Sequence, residues 1–125
     1  MPGIMIRTSV AFEEKKDELF GAVTKLLTDV AGKKESAVMV MIEKVEARKG
    51  NQPIPVAFVE VRSLVGLDHA MNRKLAEGFC DILGKLLGIN GEDIYLNFLR
   101  IPETAWGWKH GIVLWDHAQG QWVVR

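Results

Sequence analysis

The sequence predicts an α+β domain: a four-stranded mixed sheet with two helices on one face. Three observations carry this. A strand-like apolar alternation, an amphipathic helical stretch and a second strand-like run follow one another in the first half. The same order returns in the second half, displaced by about 56 residues, so that Leu19 corresponds to Leu75, Val23 to Phe79 and Val38 to Ile94. Gly32 and Gly88 close the two helical stretches at equivalent places. Two βαβ repeats result, and the right-handedness of such crossovers puts both helices on the same side of the sheet.

The elements follow in order. From Gly3 to Ser9, Ile4 and Ile6 alternate with Met5 and Arg7, as in a strand with one packed face. Glu13 to Ala31 places Leu19, Phe20, Val23, Leu26, Leu27 and Val30 at spacings of three and four, with Glu13 and Glu14 near its start. Val38 to Ile42 reads as a buried strand, and the charged stretch from Lys44 to Gln52 as a loop. Val56 to Leu64 alternates as a third strand. Asp68 is a helix N-cap, and Leu75, Ala76, Phe79, Ile82, Leu83, Leu86 and Leu87 form the second apolar helix face. Asp93 to Ile101 is the fourth strand. In the tail, Ile112 to Trp115 and Gln121 to Val124 read as a hairpin.

Composition narrows the function. With 125 residues, 48% of them hydrophobic, the chain suits a single domain over 1–125. Sixteen basic residues balance sixteen acidic ones, so there is no net field to hold nucleic acid or an anionic membrane, and neither is expected as a partner. The longest unbroken apolar run, Ala37 to Ile42, is far below the roughly 20 residues of a membrane span. No secretory pattern is seen at the start, and the expected location is the cytoplasm. The one cysteine, Cys80, allows no internal disulfide and no site of paired thiolates; it reads as a core residue. His69, His110 and His117 lack metal-ligand spacing.

The face of the sheet turned from the helices is the second signal. Met5, Met39, Met41, Phe58 and Leu96 are assigned there in whole or part, and a monomer would expose too large an apolar patch. An oligomer is expected.

The third signal is chemical. Proline cannot donate to a sheet, so Pro2 could simply mark the start of a strand. Removal of Met1 would instead leave its nitrogen as a free secondary amine, the one backbone nitrogen at a strand end able to take a proton.

Pro2, the Gly32-Lys33 step, Asn72-Arg73, Cys80, the stretch DIYLNF from Asp93 to Phe98 and the Gly107-Trp108 pair fall in register with one family. Together they resemble the macrophage migration inhibitory factor (MIF) family of the tautomerase superfamily, and the chain is similar to its bacterial-type members over about positions 2 to 111. The resemblance implies a homotrimer whose sheets form a central barrel. It implies keto-enol tautomerisation of small arylpyruvates such as phenylpyruvate, without metal or organic cofactor. Carried over by position, Pro2 would be the general base, Lys33 the cation beside it and Leu64 an apolar wall of the same pocket. Tyr95 and Asn97 would reach in from a neighbouring subunit, with Trp106 and Trp108 near the mouth. The family's short strand would fall within Ala47 to Gly50.

The residue types suit that chemistry. A backbone amine titrates near about 8, so Pro2 works as a base only if its surroundings lower that value; burial and the like charge of Lys33 act in that same direction. Lys33 could also hold a carboxylate or an enolate oxygen, while Tyr95 and Asn97 offer neutral donors. The bland readings stand beside these. Lys33 also complements a helix C-terminus, and Tyr95 and Asn97 share one strand face whether or not it is a site.

Departures from the family shape the expectation further. Its vertebrate cysteine pair corresponds to Val56 and Val59, so thiol redox activity is expected to be absent. A pocket aromatic is Ala37 here, and Trp106 replaces a smaller residue, which reshapes the cavity. The stretch 112–125 reads as a C-terminal extension. Two other classes are weighed: a MIF-like binding or signalling trimer with vestigial catalysis, for which the family implies leaderless export, and hydration or dehalogenation of an unsaturated acid. The latter would need a carboxylate to activate water and an arginine pair, for which Arg7 and Arg62 are the candidates.

Overall fold

The computed structural model describes residues 2–63 and 67–118. Its sheet is built from β1 (Gly3–Thr8), β2 (Met39–Lys44), β3 (Ala57–Ser63) and β4 (Ile94–Arg100), in the order β2-β1-β3-β4. β1 and β2 run parallel, as do β3 and β4, and the two halves join through antiparallel β1 and β3. This is the mixed sheet of two βαβ repeats that the internal displacement predicts.

α1 (Lys16–Asp29) and α2 (His69–Leu87) cover one face. Their buried residues are Leu19, Val23 and Leu27 in α1 and Leu75, Phe79 and Leu83 in α2, and each pair keeps the displacement read from the sequence. They pack on Ile4 and Ile6 of β1, Val59 and Val61 of β3 and Ile94 of β4, all of which are buried. Fully burying such a side chain contributes about 1.5–3 kcal/mol, so these shared layers account for the fold's order. α1 begins at Lys16 rather than at the expected Glu13, because Glu13–Lys15 form a tight 3-10 turn first. α2 starts where expected: the Asp68 carboxylate accepts from the Met71 amide at 2.8 Å.

Both helices end in the same way. Gly32 and Gly88 adopt φ of 65° and 68°, and the following amides reach back six residues, Lys33 N to Leu27 O at 3.1 Å and Ile89 N to Leu83 O at 3.4 Å. The left-handed turn at each helix end favours glycine, which has no Cβ to clash there.

Three expectations need correction. Leu96 packs against the core on the helix side; the open face of β4 carries Tyr95, Asn97 and Leu99. The phase of a strand shifts every side chain when misjudged by one residue. β2 is an edge strand with Met39 64% and Met41 49% exposed, rather than a buried strand. Of the run Val38 to Ile42, Val38, Val40 and Ile42 pack on the core.

The tail also differs from the predicted hairpin. β5 (Gly107–Trp108) pairs antiparallel with β6 (Ile112–Val113), and α3 (Leu114–Ala118) follows at once. The partner of Ile112 is therefore Trp108. Residues 121–124 lie outside the described residues. Within Ala47 to Gly50 the structure places an isolated bridge, Lys49 with Gln52, where the family's short strand was expected.

Candidate active site

Pro2 stands at the head of β1 and is fully buried. Its missing amide hydrogen costs the sheet nothing, and its carbonyl accepts from the Met39 amide at 3.1 Å, which starts the β1–β2 ladder. Lys33 comes to the same end of the sheet by a short path. The bond of its amide to the Leu27 carbonyl fixes its backbone, a 3-10 turn over Glu35–Ala37 follows, and the chain then enters β2 beside Pro2. The Lys33 side chain is half-buried. β3 also runs toward this end, since Arg62 pairs with Gly3. Leu64, the next expected wall residue, lies outside the described residues.

Tyr95 and Asn97 share the open face of β4, as their spacing requires, and both are exposed. Asn97 pairs with Glu60, which pairs with Met5 midway along β1, whereas Tyr95 lies farther from Pro2. Tyr95 pairs with Phe58, which pairs with Arg7 at the far end of β1. Tyr95 instead lines a separate cavity of about 420 Å³ on the open face, with Arg7, Val45, Lys49, Phe58 and Glu60. The Phe58 and Tyr95 rings meet edge to face at 6.4 Å, and Lys49 Nζ lies 5.5 Å from the centre of the Tyr95 ring.

Trp106 and Trp108 are half-buried in the β5–β6 unit. The Trp106 carbonyl accepts from the Leu114 amide at 2.8 Å, and Lys109 Nζ stands 5.1 Å from the centre of the Trp108 ring. Arg7 and Arg62, the alternative anion holders, are both engaged. Arg7 pairs with Glu43 at 2.7 Å and Glu60 at 3.6 Å, and Arg62 with Glu60 at 3.3 Å. Among the described residues no three His, Cys, Asp or Glu side chains gather as metal ligands, and no helix is long and apolar enough to cross a membrane.

The geometry thus sets Pro2 and Tyr95 at opposite ends of one sheet. The family model described as macrophage migration inhibitory factor (MIF) matches residues 1–114. The chain belongs to the MIF family. With it comes the tautomerase superfamily. The MIF of Xenopus laevis is 28% identical over 110 residues, covering 87% of this chain and 96% of that protein. The MIF-like protein of Entamoeba histolytica superimposes with a TM-score of 0.82 at 30% identity, over 88% of this chain and 96% of its own. A further protein of this fold, solved after inactivation by 2-oxo-3-pentynoate, gives a TM-score of 0.83 at 19% identity over 94% of this chain and 98% of its own; that likeness speaks for the fold. The MIF fold of these neighbours is the mixed four-stranded sheet with two helices found here.

Sequence reading missed Lys49 altogether. The signal was present: Gly50-Asn51 is a two-residue turn dipeptide, and the residue before it belongs to a hairpin.

Proposed function

We infer that the chain is a tautomerase of phenylpyruvate-like 2-oxo acids, working as a homotrimer with the Pro2 amine as general base once Met1 is removed. The observation that carries this is a buried proline at the head of β1, in a chain of the MIF family, with a half-buried lysine led to the same end of the sheet. The domain is read as one unit over 1–125. Because β6 is tied to β5, the extension of 112–125 is anchored at its start.

In this reading the neutral Pro2 nitrogen takes the proton from the carbon beside the keto group. The electron pair of that C–H bond becomes the C=C bond of the enol, and the carbonyl electrons move to oxygen. The oxygen then takes a proton, from the prolinium or from water, and the reverse path returns the keto form. Burial disfavours the prolinium, which keeps the base free. Lys33 pairs with the carboxylate or the developing oxyanion, the kind of stabilisation that is commonly the largest contribution. Tyr95 and Asn97 of a neighbouring copy donate to the oxygens, and Leu64, Trp106 and Trp108 wall the aromatic ring. No cofactor enters the reaction.

Two features support assembly. Met39, Met41, Phe58 and Leu99 leave an exposed apolar face on the sheet. Asn72 Oδ1 is buried without a hydrogen-bond partner among the described residues, while its Nδ2 donates to Leu67 O at 3.4 Å; a donor from a second copy would satisfy it.

The test is an enol-to-keto assay with phenylpyruvate on protein whose intact mass shows loss of Met1. Turnover well above buffer is expected, with Pro2→Gly losing about 10²-fold or more. A buffer-level rate in the processed protein overturns the reading.

A further inference from the structure

Lys49 is held more firmly than an exposed loop lysine needs to be. Gly50 and Asn51 both adopt the left-handed region, φ 55° and 60°, and the flanking residues exchange both backbone hydrogen bonds: Lys49 N to Gln52 O at 3.1 Å and Gln52 N to Lys49 O at 2.9 Å. Two central residues with positive φ mark the I′ type of two-residue turn, which is compact and twisted to match a hairpin. This fixes where the Lys49 side chain starts.

Its far end is fixed as well. Nζ donates to the Glu92 carbonyl at 2.6 Å and to Asp93 Oδ1 at 2.9 Å, across more than forty residues of chain. The Asp93 carboxylate is largely buried, 18% exposed, so the pair is better shielded than the helix-surface pairs of this protein. The hydrogen bond and charge of Asp93 also push the Lys49 ammonium above its ordinary pKa, so it stays charged wherever the enzyme would work. Held this way, the cation stands 5.5 Å from the centre of the Tyr95 ring, within the range of a cation–π contact. Phe58 meets the same ring edge to face.

Tyr95 itself is 55% exposed on an open sheet face, where a phenol ring would otherwise choose freely among its side-chain rotamers. Here the ring is contacted from two sides, by the Lys49 ammonium and the Phe58 ring. We propose that Lys49, aimed by the Gly50-Asn51 turn and anchored on Glu92 and Asp93, is a positioning residue that fixes the Tyr95 ring so that its hydroxyl meets the oxygens of a bound 2-oxo acid. This deepens the tautomerase reading and rests on Tyr95 belonging to that site.

Tyr95 is the only tyrosine of the chain, which makes the idea directly measurable. Protein labelled with ¹³C-tyrosine gives one ring spin system. Lys49→Met keeps the apolar stem and removes the charge and donors; Lys49→Arg keeps the charge. In Lys49→Met the ring resonances should move, and KM for phenylpyruvate should rise roughly three- to tenfold with kcat changed less than about twofold. Lys49→Arg should restore most of both, which a merely structural role of the stem would not require. In a Tyr95→Phe background the KM effect of Lys49→Met should vanish, as expected for residues acting as one unit. Unmoved ring resonances in Lys49→Met overturn the proposal, and so does a KM rise that survives in Tyr95→Phe. If the resonances move but Tyr95→Phe leaves KM and kcat unchanged, the placement of Tyr95 in the site is what fails. A buffer-level wild-type rate would strike the tautomerase reading itself.

Discussion

Pro2 and Tyr95 stand at opposite ends of one sheet. Tyr95 pairs with Phe58, Phe58 with Arg7, and Arg7 lies five residues beyond Pro2 along β1, about 17 Å at the rise of an extended chain. One chain therefore cannot bring both to one small substrate. Subunits carrying Pro2→Gly should be inactive, and subunits carrying Tyr95→Phe with Asn97→Ala strongly impaired. Mixed and reassembled at equal ratio, they should recover about a quarter of the wild-type sites, because some boundaries pair an intact Pro2 with an intact β4. Turnover of the reassembled mixture against each parent is the measurement. No recovery would mean that Tyr95 and Asn97 do not complete the site of a neighbouring Pro2.

That division was only half legible in the sequence. The core layers were readable because α1 and α2 repeat one spacing: Leu19, Val23 and Leu27 recur as Leu75, Phe79 and Leu83, all buried. That Pro2 heads a strand and Lys33 follows a helix-ending glycine is legible locally, at Gly3 and Gly32, while the roles given to both come from the family resemblance. What failed was set by distant partners. β2 looks buried by composition, yet its neighbours leave it at the edge, and nothing local tells Met39 or Met41 that no strand lies beyond them. Leu96 and Tyr95 differ only in strand phase, which the register with β3 decides. The tail folds back through Ile112 on Trp108, a pairing that three positive-φ residues, Lys109 to Gly111, make possible.

The open face gives a second prediction. Met39 and Met41 are exposed on β2 beside the exposed Phe58 and Leu99 of the same sheet face. Covering such a patch drives association; placing charge in it opposes it. Met39→Lys with Met41→Glu should leave the helical signal of the 14.0 kDa chain intact while shifting its mass by light scattering from the proposed trimer toward the monomer. A mass unchanged by both charges would mean that this face is not the one that associates.

Cys80 gives a pH-dependent prediction. It packs at the margin of the core on α2, and burial pushes its thiol above the ordinary value of 9.0. The neutral thiol is thus favoured in the fold. Above 9.0 the unfolded chain releases that proton before the folded one does, so this site's share of stability falls as pH rises. Iodoacetamide at pH 8 should alkylate native protein at least about tenfold more slowly than urea-unfolded protein, since only the thiolate reacts. Equal rates would show a thiol as open as in a free chain.

At Gly78 of α2 the side chain of Leu26 from α1 stands directly over the backbone. A Cβ built there would collide with the Leu26 methyls and lie 3.2 Å from its Cγ, so the branched end of Leu26 already fills the space above the glycine. Alanine in a helix interior normally gains about 1 kcal/mol over glycine. Here that gain competes with pushing Leu26 off α2, and overpacking typically costs about 1–3 kcal/mol. Leu26 is partly buried and already packs on the core cluster, so the second effect should win and Gly78→Ala should destabilise by about 1 kcal/mol in urea unfolding. Leu26→Ala removes the obstacle at its own cost, and in that background the same Gly78→Ala should stabilise by up to about 1 kcal/mol. A change of sign between the two backgrounds is the signature of direct contact. The same sign and size in both would mean that Leu26 yields without cost, and that the spacing of α1 and α2 is held by Leu27, Phe79 and their neighbours alone.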